Sequence, residues 1–346
     1  MTMGRQTGKT ILEKAMNLQK GESIPVMAHT CVFNMKYFGK KYVDCLLDPR
    51  EYVETEVKCY EEFGYDGVWT ISPMEAVGEA LGSRLKFFED DVPAIAEPVL
   101  KNPKDFEKLV KEDRDVKTYH RVRYLCDVIS GLKAGVGDRT MVAANAHSVF
   151  RCAGMLRGLN NLFLDLAIRQ SFLKELQEFC LPKCIDFVSE LVKAGADIIV
   201  ITNPISSANC ISREMYRSQV HPFTKRLYQA IKTTGAKLIF HSCGVWDDRY
   251  DLLVDEEPDV LWVDKVDLKW FKETYGEKVC IMGNVKTTET MLQGTPGQVE
   301  QEALDCIGKA GKNGGFILSA DCQLPRDVPG ENVRALIAAA RKYGET

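Results

Sequence analysis

The sequence predicts an α/β protein built as a (β/α)8 barrel of the TIM type, with additional helices at its N-terminus. Three observations predict this fold: eight short apolar segments occur along the 346 residues, a helical pattern follows each of them, and no linker interrupts the series. Strands that alternate with helices are typical of a parallel sheet, and eight of them can close it into a barrel. We therefore expect residues 1–346 to form a single barrel domain, with residues 1–23 as an N-terminal helical extension. An open doubly wound sheet is the alternative fold.

The predicted strands are runs of five or six mostly apolar residues without polar alternation. This pattern is typical of strands that are buried on both faces. In chain order they cover residues 24–29, 66–70, 141–146, 197–202, 237–241, 259–263, 278–282 and 315–319. The intervals after the first and second strands are the longest, which leaves room for extra helices or a lid over the mouth of the barrel.

Two of the predicted helices have recognisable ends. Apolar residues at a spacing of three to four over residues 49–63 indicate an amphipathic helix that ends at Gly64. Ser212 can cap a second helix, which ends at Gly235.

The composition excludes several classes of function. The 45 Lys and Arg against 49 Asp and Glu leave a formal charge of −4, so no overall field attracts nucleic acid or anionic lipid. No apolar run is long enough for a membrane-spanning helix, and the N-terminus lacks the apolar core of a signal peptide. The 12 cysteines include no CxxC pair, and so many free thiols suit a reducing compartment. We expect a cytoplasmic protein that binds neither nucleic acid nor membranes.

Polar side chains follow the carboxyl ends of most of the later strands, which is where α/β barrels place their active sites. These residues are His147, Asn203, His241, Cys243, Asp264, Asn284 and Cys322. Although they are far apart in sequence, a closed barrel would bring them together at one mouth.

The pattern His241-x-Cys243 predicts a metal site. Side chains alternate along an extended segment, so both residues point to the same side of the chain. Cys322, at the end of the eighth strand, could supply a third ligand across the barrel. Zinc prefers sulfur and imidazole donors, and a catalytic zinc site keeps its fourth position open. The alternative is a buried histidine beside two packing cysteines. His29 and Cys31 form a second His-x-Cys pattern, for which no third ligand is evident.

Five further stretches carry a resemblance to a known family. They are EALG at 79–82, KLIFHSCG at 237–244, WVDKVDL at 262–268, IMGNV at 281–285 and ILSADCQLPRDVPGENV at 317–333. On these motifs, nearly the whole chain resembles the uroporphyrinogen decarboxylase superfamily. Within it, the chain is most similar to the zinc-dependent methyltransferases that work with corrinoid proteins, such as methylcobamide:coenzyme M methyltransferases.

The resemblance implies an enzyme that transfers a methyl group between a corrinoid protein and a small substrate. The family's zinc pattern corresponds here to His241, Cys243 and Cys322, and the corrinoid (methylcobalamin) would be carried by a partner protein. The substrate would be a thiol such as coenzyme M, or a methyl donor such as a methyl ether. We expect Asp264 and Glu79 to orient a ligand or a metal-bound group. The expected substrate-binding residues are Glu79, His147, Asn203 and Asn284.

Two departures from the family pattern bear on the substrate. The decarboxylases carry an arginine-rich segment after their first strand, whereas residues 27–48 contain no arginine, so a substrate with several carboxylates would be poorly neutralised. Asn203-Pro204 stands where the family often has Asp-Pro. Two alternative functions are a metal-free decarboxylase and a non-catalytic barrel that binds zinc or a corrinoid protein. A homodimer is the oligomeric state we consider.

Overall fold

The computed structural model describes residues 6–89 and 91–344, so residues 1–5 of the predicted N-terminal extension lie outside the described residues. Its strands are β1 (Gly67–Trp69), β2 (Arg84–Lys86), β3 (Ala94–Glu97), β4 (Met141–His147), β5 (Ile198–Thr202), β6 (Lys237–Ser242), β7 (Val260–Val263), β8 (Cys280–Val285) and β9 (Phe316–Ala320). β2 and β3 form an antiparallel hairpin. The other seven form one parallel sheet in the order β1-β4-β5-β6-β7-β8-β9, and each pairs with the next in sequence.

The predicted first strand, residues 24–29, is wrong as a regular strand but marks the segment that lies between β9 and β1. Val26 forms a single parallel bridge with Leu318, and Met27 N donates to Leu318 O at 3.0 Å. On the other side, Asp66 N donates to Val26 O at 2.8 Å. The ladder stops here because Pro25 has no N–H and Val26 N donates to the Asp66 carboxylate instead of to a strand. The sheet is thereby curled into the predicted TIM-type barrel.

Helices surround this sheet. They are α1 (Gly8–Met16), α2 (Phe33–Tyr37), α3 (Tyr42–Leu47), α4 (Pro49–Phe63), α5 (Ala76–Ala80), α6 (Phe106–Glu112), α7 (His120–Val136), α8 (Val149–Arg157), α9 (Leu159–Ile168), α10 (Gln170–Lys193), α11 (Arg213–Met215), α12 (His221–Thr233), α13 (Tyr250–Asp255), α14 (Leu268–Tyr275), α15 (Pro296–Ala310) and α16 (Gly330–Tyr343). None of the helices in the described part of the chain is both long and apolar enough to cross a membrane.

The helix ends follow the predicted chemistry. α4 ends at Gly64, which adopts a left-handed φ of 73° and donates its N–H to Tyr60 O. Ser212 caps α11 by accepting from Met215 N at 3.2 Å, and a π-helical turn then leads into α12. The long interval before β4 contains the expected extra helices, together with the β2–β3 hairpin, which was not predicted.

The barrel interior is filled by side chains that recur at every second position of the strands, as period-two alternation requires. They are Met27, Trp69, Met141, Ala143, Ile198, Val200, Ile239, Val260, Trp262, Cys280, Met282 and Ile317, with Leu12, Ala15 and Met16 of α1 packed against them. The next inward positions along β6 and β7 belong to His241, Cys243 and Asp264. The interior core therefore gives way to polar residues at the carboxyl ends of the strands.

Candidate metal centre at the barrel mouth

The carboxyl ends of two strands, β6 and β9, bring the three predicted metal ligands together across the barrel rim. His241 is the penultimate residue of β6 and pairs in register with Trp262 of β7, and Cys243 directly follows the strand. Cys322 lies just beyond the end of β9. The ligand atoms of these three residues all lie within 4.8 Å of one another, and His241 Nε2 lies 3.4 Å from Cys322 Sγ. We call His241, Cys243 and Cys322 the metal-binding group.

These distances fit a tetrahedral zinc site. Zn–N and Zn–S bonds of about 2.0 and 2.3 Å place neighbouring donor atoms about 3.5–3.8 Å apart. The imidazole and two sulfurs therefore need only small adjustments to share one ion. Among the described residues, no other set of three or more His, Cys, Asp or Glu side chains is grouped in this way.

Trp262 holds the His241 ring in place. The two rings stack with centroids 3.9 Å apart and an interplanar angle of 28°. His241 Nδ1 lies 3.4 Å from Trp262 O, which favours a proton on Nδ1 and leaves the lone pair of Nε2 directed towards Cys322. Trp262 itself is anchored, because its Nε1 donates to Ala320 O at 2.8 Å and so ties β7 to the end of β9.

The Cys243 loop depends on Gly244 and Asp264. Gly244 has a φ of 98°, and its N–H donates to Asp264 Oδ2 at 3.0 Å. A Cβ atom at this position would lie 3.1 Å from Asn209 Oδ1, which accepts from Val245 N. Glycine is therefore required by both the backbone conformation and the close approach of Asn209. Asp264, predicted to orient a ligand, holds the loop that carries Cys243.

Cys322 is positioned by a hydrogen-bonded pair that the sequence reasoning missed. Its N–H donates to Thr287 Oγ1 at 3.0 Å, and the Thr287 hydroxyl in turn donates to Asp321 Oδ1. Asp321 also accepts from Thr287 N at 3.0 Å, and its own N–H donates to Val285 O. These bonds fix the chain that follows β9 to the chain that follows β8.

The two thiols of the metal-binding group perturb each other. Contact with Cys322 and with His241 lowers the pKa of the Cys243 thiol to about 4. The same contact and burial raise the pKa of Cys322. The pair therefore holds one thiolate at neutral pH, which is the form that binds a soft cation.

Asn284 and Glu79 have protein partners outside the metal-binding group. Asn284 Nδ2 donates to the backbone oxygens of Asp264 and Val266 at 2.8 and 3.0 Å. It therefore holds the loop that follows β7. Glu79 of α5 receives Arg121 Nε at 2.6 Å and Arg121 Nη2 at 3.3 Å, so both of its carboxylate oxygens are bound to α7.

His147 and Asn203, in contrast, retain buried polar atoms without hydrogen-bond partners. Asn203 Oδ1 and both ring nitrogens of His147 are buried and unpaired. His147 stacks on Phe187 of α10 with centroids 5.5 Å apart, and burial lowers its pKa to about 4. Its Nδ1 lies 3.9 Å from Glu75 Oε2, while the other Glu75 oxygen accepts from Arg151. Glu75, at the left-handed start of α5, was not predicted.

The second His-x-Cys pattern does not form a metal pair. His29 faces the barrel interior and stacks on Trp69 with centroids 4.3 Å apart, and burial lowers its pKa to about 3. Cys31 instead packs in the outer core between sheet and helices, and burial raises its pKa to about 12. The sequence pattern includes both His29 and Cys31, but neither its spacing nor the composition shows that one side chain lies in the barrel interior and the other in the outer core.

An α/β barrel that gathers an imidazole and two sulfurs at the carboxyl ends of its strands has the donor set of a metal site where such barrels place their active sites. The chain belongs to the uroporphyrinogen decarboxylase family, whose model matches residues 7–343. The resemblance predicted from the motifs is thereby confirmed.

Relatives within this family include methyltransferases. The chain is 23% identical over 350 residues to a methylcobamide:CoM methyltransferase of Methanosarcina acetivorans, with 99% of both chains covered. It is 24% identical to a methylated-thiol–coenzyme M methyltransferase of Methanosarcina mazei, which covers 91% of this chain and 83% of that protein. A solved methyltransferase structure from Methanosarcina mazei superposes with a TM-score of 0.88 at 21% identity, over 98% of this chain and 99% of that one. The last comparison confirms the barrel fold.

Proposed function

We propose that the protein is a zinc-dependent methyltransferase that moves a methyl group between a corrinoid-binding protein and a small thiol. The observation that carries this proposal is the metal-binding group, whose three ligand atoms lie within 4.8 Å of one another. The names of the two methyltransferase relatives, one of which acts on a methylated thiol, support the same reaction class.

The donor set favours a thiol over a methyl ether as the small substrate. A bound zinc ion would supply positive charge that keeps a thiol ionised at neutral pH. Two sulfur ligands donate more charge than two imidazoles or carboxylates would, and this weakens the Lewis acidity that polarising an ether oxygen demands. Three protein ligands also leave one position for the substrate, whereas a structural zinc site is saturated by four.

The chain's own residues hold this group in place and bind the substrate. Asp264 fixes the loop that carries Cys243 through its bond to Gly244 N, and Asn284 holds the loop after β7 through its bonds to the backbone of residues 264 and 266. His147 and Asn203 have unpaired buried atoms that can bind polar groups of the substrate. Glu79 acts indirectly, because its bonds to Arg121 hold α5 against α7.

The methyl carbon comes from a corrinoid protein docked at the barrel mouth. The thiol loses its proton to solvent, its sulfur forms the new bond to carbon, and the carbon–cobalt bond breaks with its electron pair left on cobalt.

No arginine occurs in residues 27–48, which disfavours the alternative of a decarboxylase for a substrate with several carboxylates. The single domain, the homodimer and the cytoplasmic location stay predictions from the sequence.

The test is to incubate the zinc-loaded protein with methylcobalamin and a panel of thiols and to follow the cobalt spectrum. We expect thiol-dependent loss of the methylcobalamin spectrum and stoichiometric methyl thioether. Cys322→Ala should abolish the reaction and lower the zinc content, whereas Cys210→Ala, a matched change at an exposed cysteine, should do neither. Full activity in Cys322→Ala, or a wild-type protein that is inert towards every corrinoid and thiol, would refute the proposal.

A further inference from the structure

A single π-helical segment, Thr287–Leu292, connects Cys322 of the metal-binding group with helix α16. At the start of the segment, Thr287 Oγ1 accepts from Cys322 N at 3.0 Å. Near its end, Met291 O accepts from Asn332 Nδ2 of α16 at 2.9 Å. The same short segment therefore holds both ends of the chain that runs from Cys322 to Asn332.

The carbonyl oxygen of the buried Met291 has no donor in the backbone that follows it. A π-helical bond would come from Pro296, which has no N–H, and an α-helical bond would come from Thr295. The N–H of Thr295 donates instead to Gln298 Oε1 at 2.8 Å, within the capping box of α15. The N–H three residues after Met291 is also taken, by the carbonyl of residue 290. A buried carbonyl in this position therefore requires a side-chain donor.

Asn332 supplies this donor from a fully buried amide. Its Nδ2 donates to Met291 O and, also at 2.9 Å, to Gly294 O. Because carbonyl oxygens only accept, the NH2 group must face them, and this fixes the orientation of the amide. The side-chain oxygen has no hydrogen-bond partner among the described residues, so the two bonds to the chain around Met291 are what this buried polar side chain provides.

The hydrogen bonds of the segment carry this restraint towards Cys322. Met291 N donates to Lys286 O at 2.9 Å, and Lys286 directly precedes Thr287. The residue whose carbonyl Asn332 binds is thus itself bonded beside the threonine that receives Cys322 N. A shift of Met291 therefore moves the acceptor that fixes the backbone of Cys322.

We propose that Asn332 is a positioning residue that holds Cys322 in the metal-binding group through the π-helical segment. This inference rests on the metal site of the proposed function. Cys322 depends most on such support, because His241 and Cys243 lie two residues apart at the end of β6, whereas Cys322 reaches them from the end of β9. If Cys322 is displaced, a metal ion keeps one imidazole and one sulfur of the group.

The test uses cobalt(II) as the probe, because its absorption bands report both the affinity of the site and the number of bound sulfurs. The full-length proteins compared are the wild type, Asn332→Leu, Thr287→Val and the double variant. Thr287→Val keeps the branched shape but removes the hydroxyl that accepts from Cys322 N, so we expect it to weaken cobalt binding about 10- to 100-fold. Asn332→Leu removes both donors and should weaken it about tenfold. Both should lower the sulfur-to-cobalt charge-transfer absorption per bound cobalt towards half of the wild-type value, because one sulfur then binds instead of two.

The double variant distinguishes positioning from general destabilisation. If Asn332 acts through Thr287, the double variant should bind cobalt no more weakly than Thr287→Val alone, whereas independent effects would multiply. In the metal-free protein, Asn332→Leu should speed hydrogen exchange of the Cys322 N–H about tenfold, because the acceptor of this N–H is no longer fixed. Asn332→Ser, which keeps one donor on a shorter side chain, replaces Asn332→Leu in both measurements if the leucine variant does not fold.

Gln177→Leu is the matched control. Gln177 is also a fully buried amide with an unpaired side-chain oxygen, and its Nε2 donates at 2.8 Å to Gln219 O of a second π-helical segment, Tyr216–Val220. This substitution should lower the resistance to urea as Asn332→Leu does. It should leave the cobalt affinity, the charge-transfer absorption and the exchange of the Cys322 N–H at their wild-type values.

Three results would overturn the role of Asn332 while leaving the metal site and the methyltransferase intact. They are wild-type cobalt affinity and charge-transfer absorption in a folded Asn332 variant, effects that multiply in the double variant, and an equal loss of cobalt affinity in Gln177→Leu. A wild-type protein that binds neither cobalt nor zinc would overturn the proposed function together with this inference.

Discussion

Replacing Gly244 with alanine tests whether the loop after β6 sets the metal-binding geometry. Gly244 has a φ of 98°, and a left-handed conformation costs a residue with a Cβ atom about 1–2 kcal/mol. The new Cβ would also lie 3.1 Å from Asn209 Oδ1 and displace it from Val245 N, a hydrogen bond worth about 1 kcal/mol. We therefore expect Gly244→Ala to lower the free energy of unfolding by about 2–3 kcal/mol.

Gly235→Ala is the matched control for this substitution. Gly235 has a φ of 83°, but nothing lies within 4 Å of a Cβ atom built there, and it follows α12 away from the mouth. It should therefore pay only the backbone cost of about 1–2 kcal/mol.

The two variants should differ most in metal affinity. Because Gly244 N also holds Asp264 beside Cys243, we expect Gly244→Ala to weaken zinc binding about 10- to 100-fold in a chelator competition, while Gly235→Ala binds zinc as the wild type does. Equal zinc affinity in Gly244→Ala and the wild type, with the loss of stability present, would refute the role given to this loop.

Three further predictions concern polar side chains that are buried or half-buried. Burial raises the pKa of Glu56 to about 7, so the stabilising protonated form is lost as the pH rises from about 4.5 through 7. Over that range the unfolding free energy of the wild type should fall by up to about 3 kcal/mol relative to Glu56→Gln. The same pH dependence of urea unfolding in both proteins would contradict this. Arg157→Ala removes the 2.6 Å partner of the buried Asp165 and leaves it only Arg169 at 3.0 Å, which should cost about 2–3 kcal/mol in urea unfolding. A loss below 1 kcal/mol would contradict a stabilising buried ion pair. Asn284→Ala removes two hydrogen bonds to the loop after β7 and should lower the free energy of unfolding by about 1–3 kcal/mol and the zinc affinity several-fold. Unchanged zinc affinity would show that Asn284 does not support the metal-binding group.

The barrel could be predicted because its signal is repeated. Seven of the eight apolar segments are strands of the parallel sheet, with ends displaced by up to three residues. The exception, residues 24–29, was misassigned because hydrophobicity does not reveal that Pro25 lacks a donor and that the Asp66 carboxylate takes the N–H of Val26. The β2–β3 hairpin was missed because its residues are exposed or half-buried and lack an apolar run.

The candidate site, like the fold, could be predicted from the sequence only in part. His241, Cys243 and Cys322 could be chosen because each lies at or just after the end of a predicted strand, and their side chains do meet. The residues that hold them could not, since the contacts of Thr287 with Asp321 and of Trp262 with Ala320 depend on how separate strand ends meet in space. Glu79 illustrates the limit, because nothing in its local sequence reveals the ion pair with Arg121, 42 residues away.

The most direct test of the central claim is zinc X-ray absorption of the purified protein, with and without a thiol substrate. We expect one zinc per chain with two sulfur ligands and one imidazole, a third sulfur when thiol is added, and a single sulfur in Cys322→Ala. A zinc ion already held by four protein ligands and unchanged by thiol, or a protein that takes up no zinc, would contradict it.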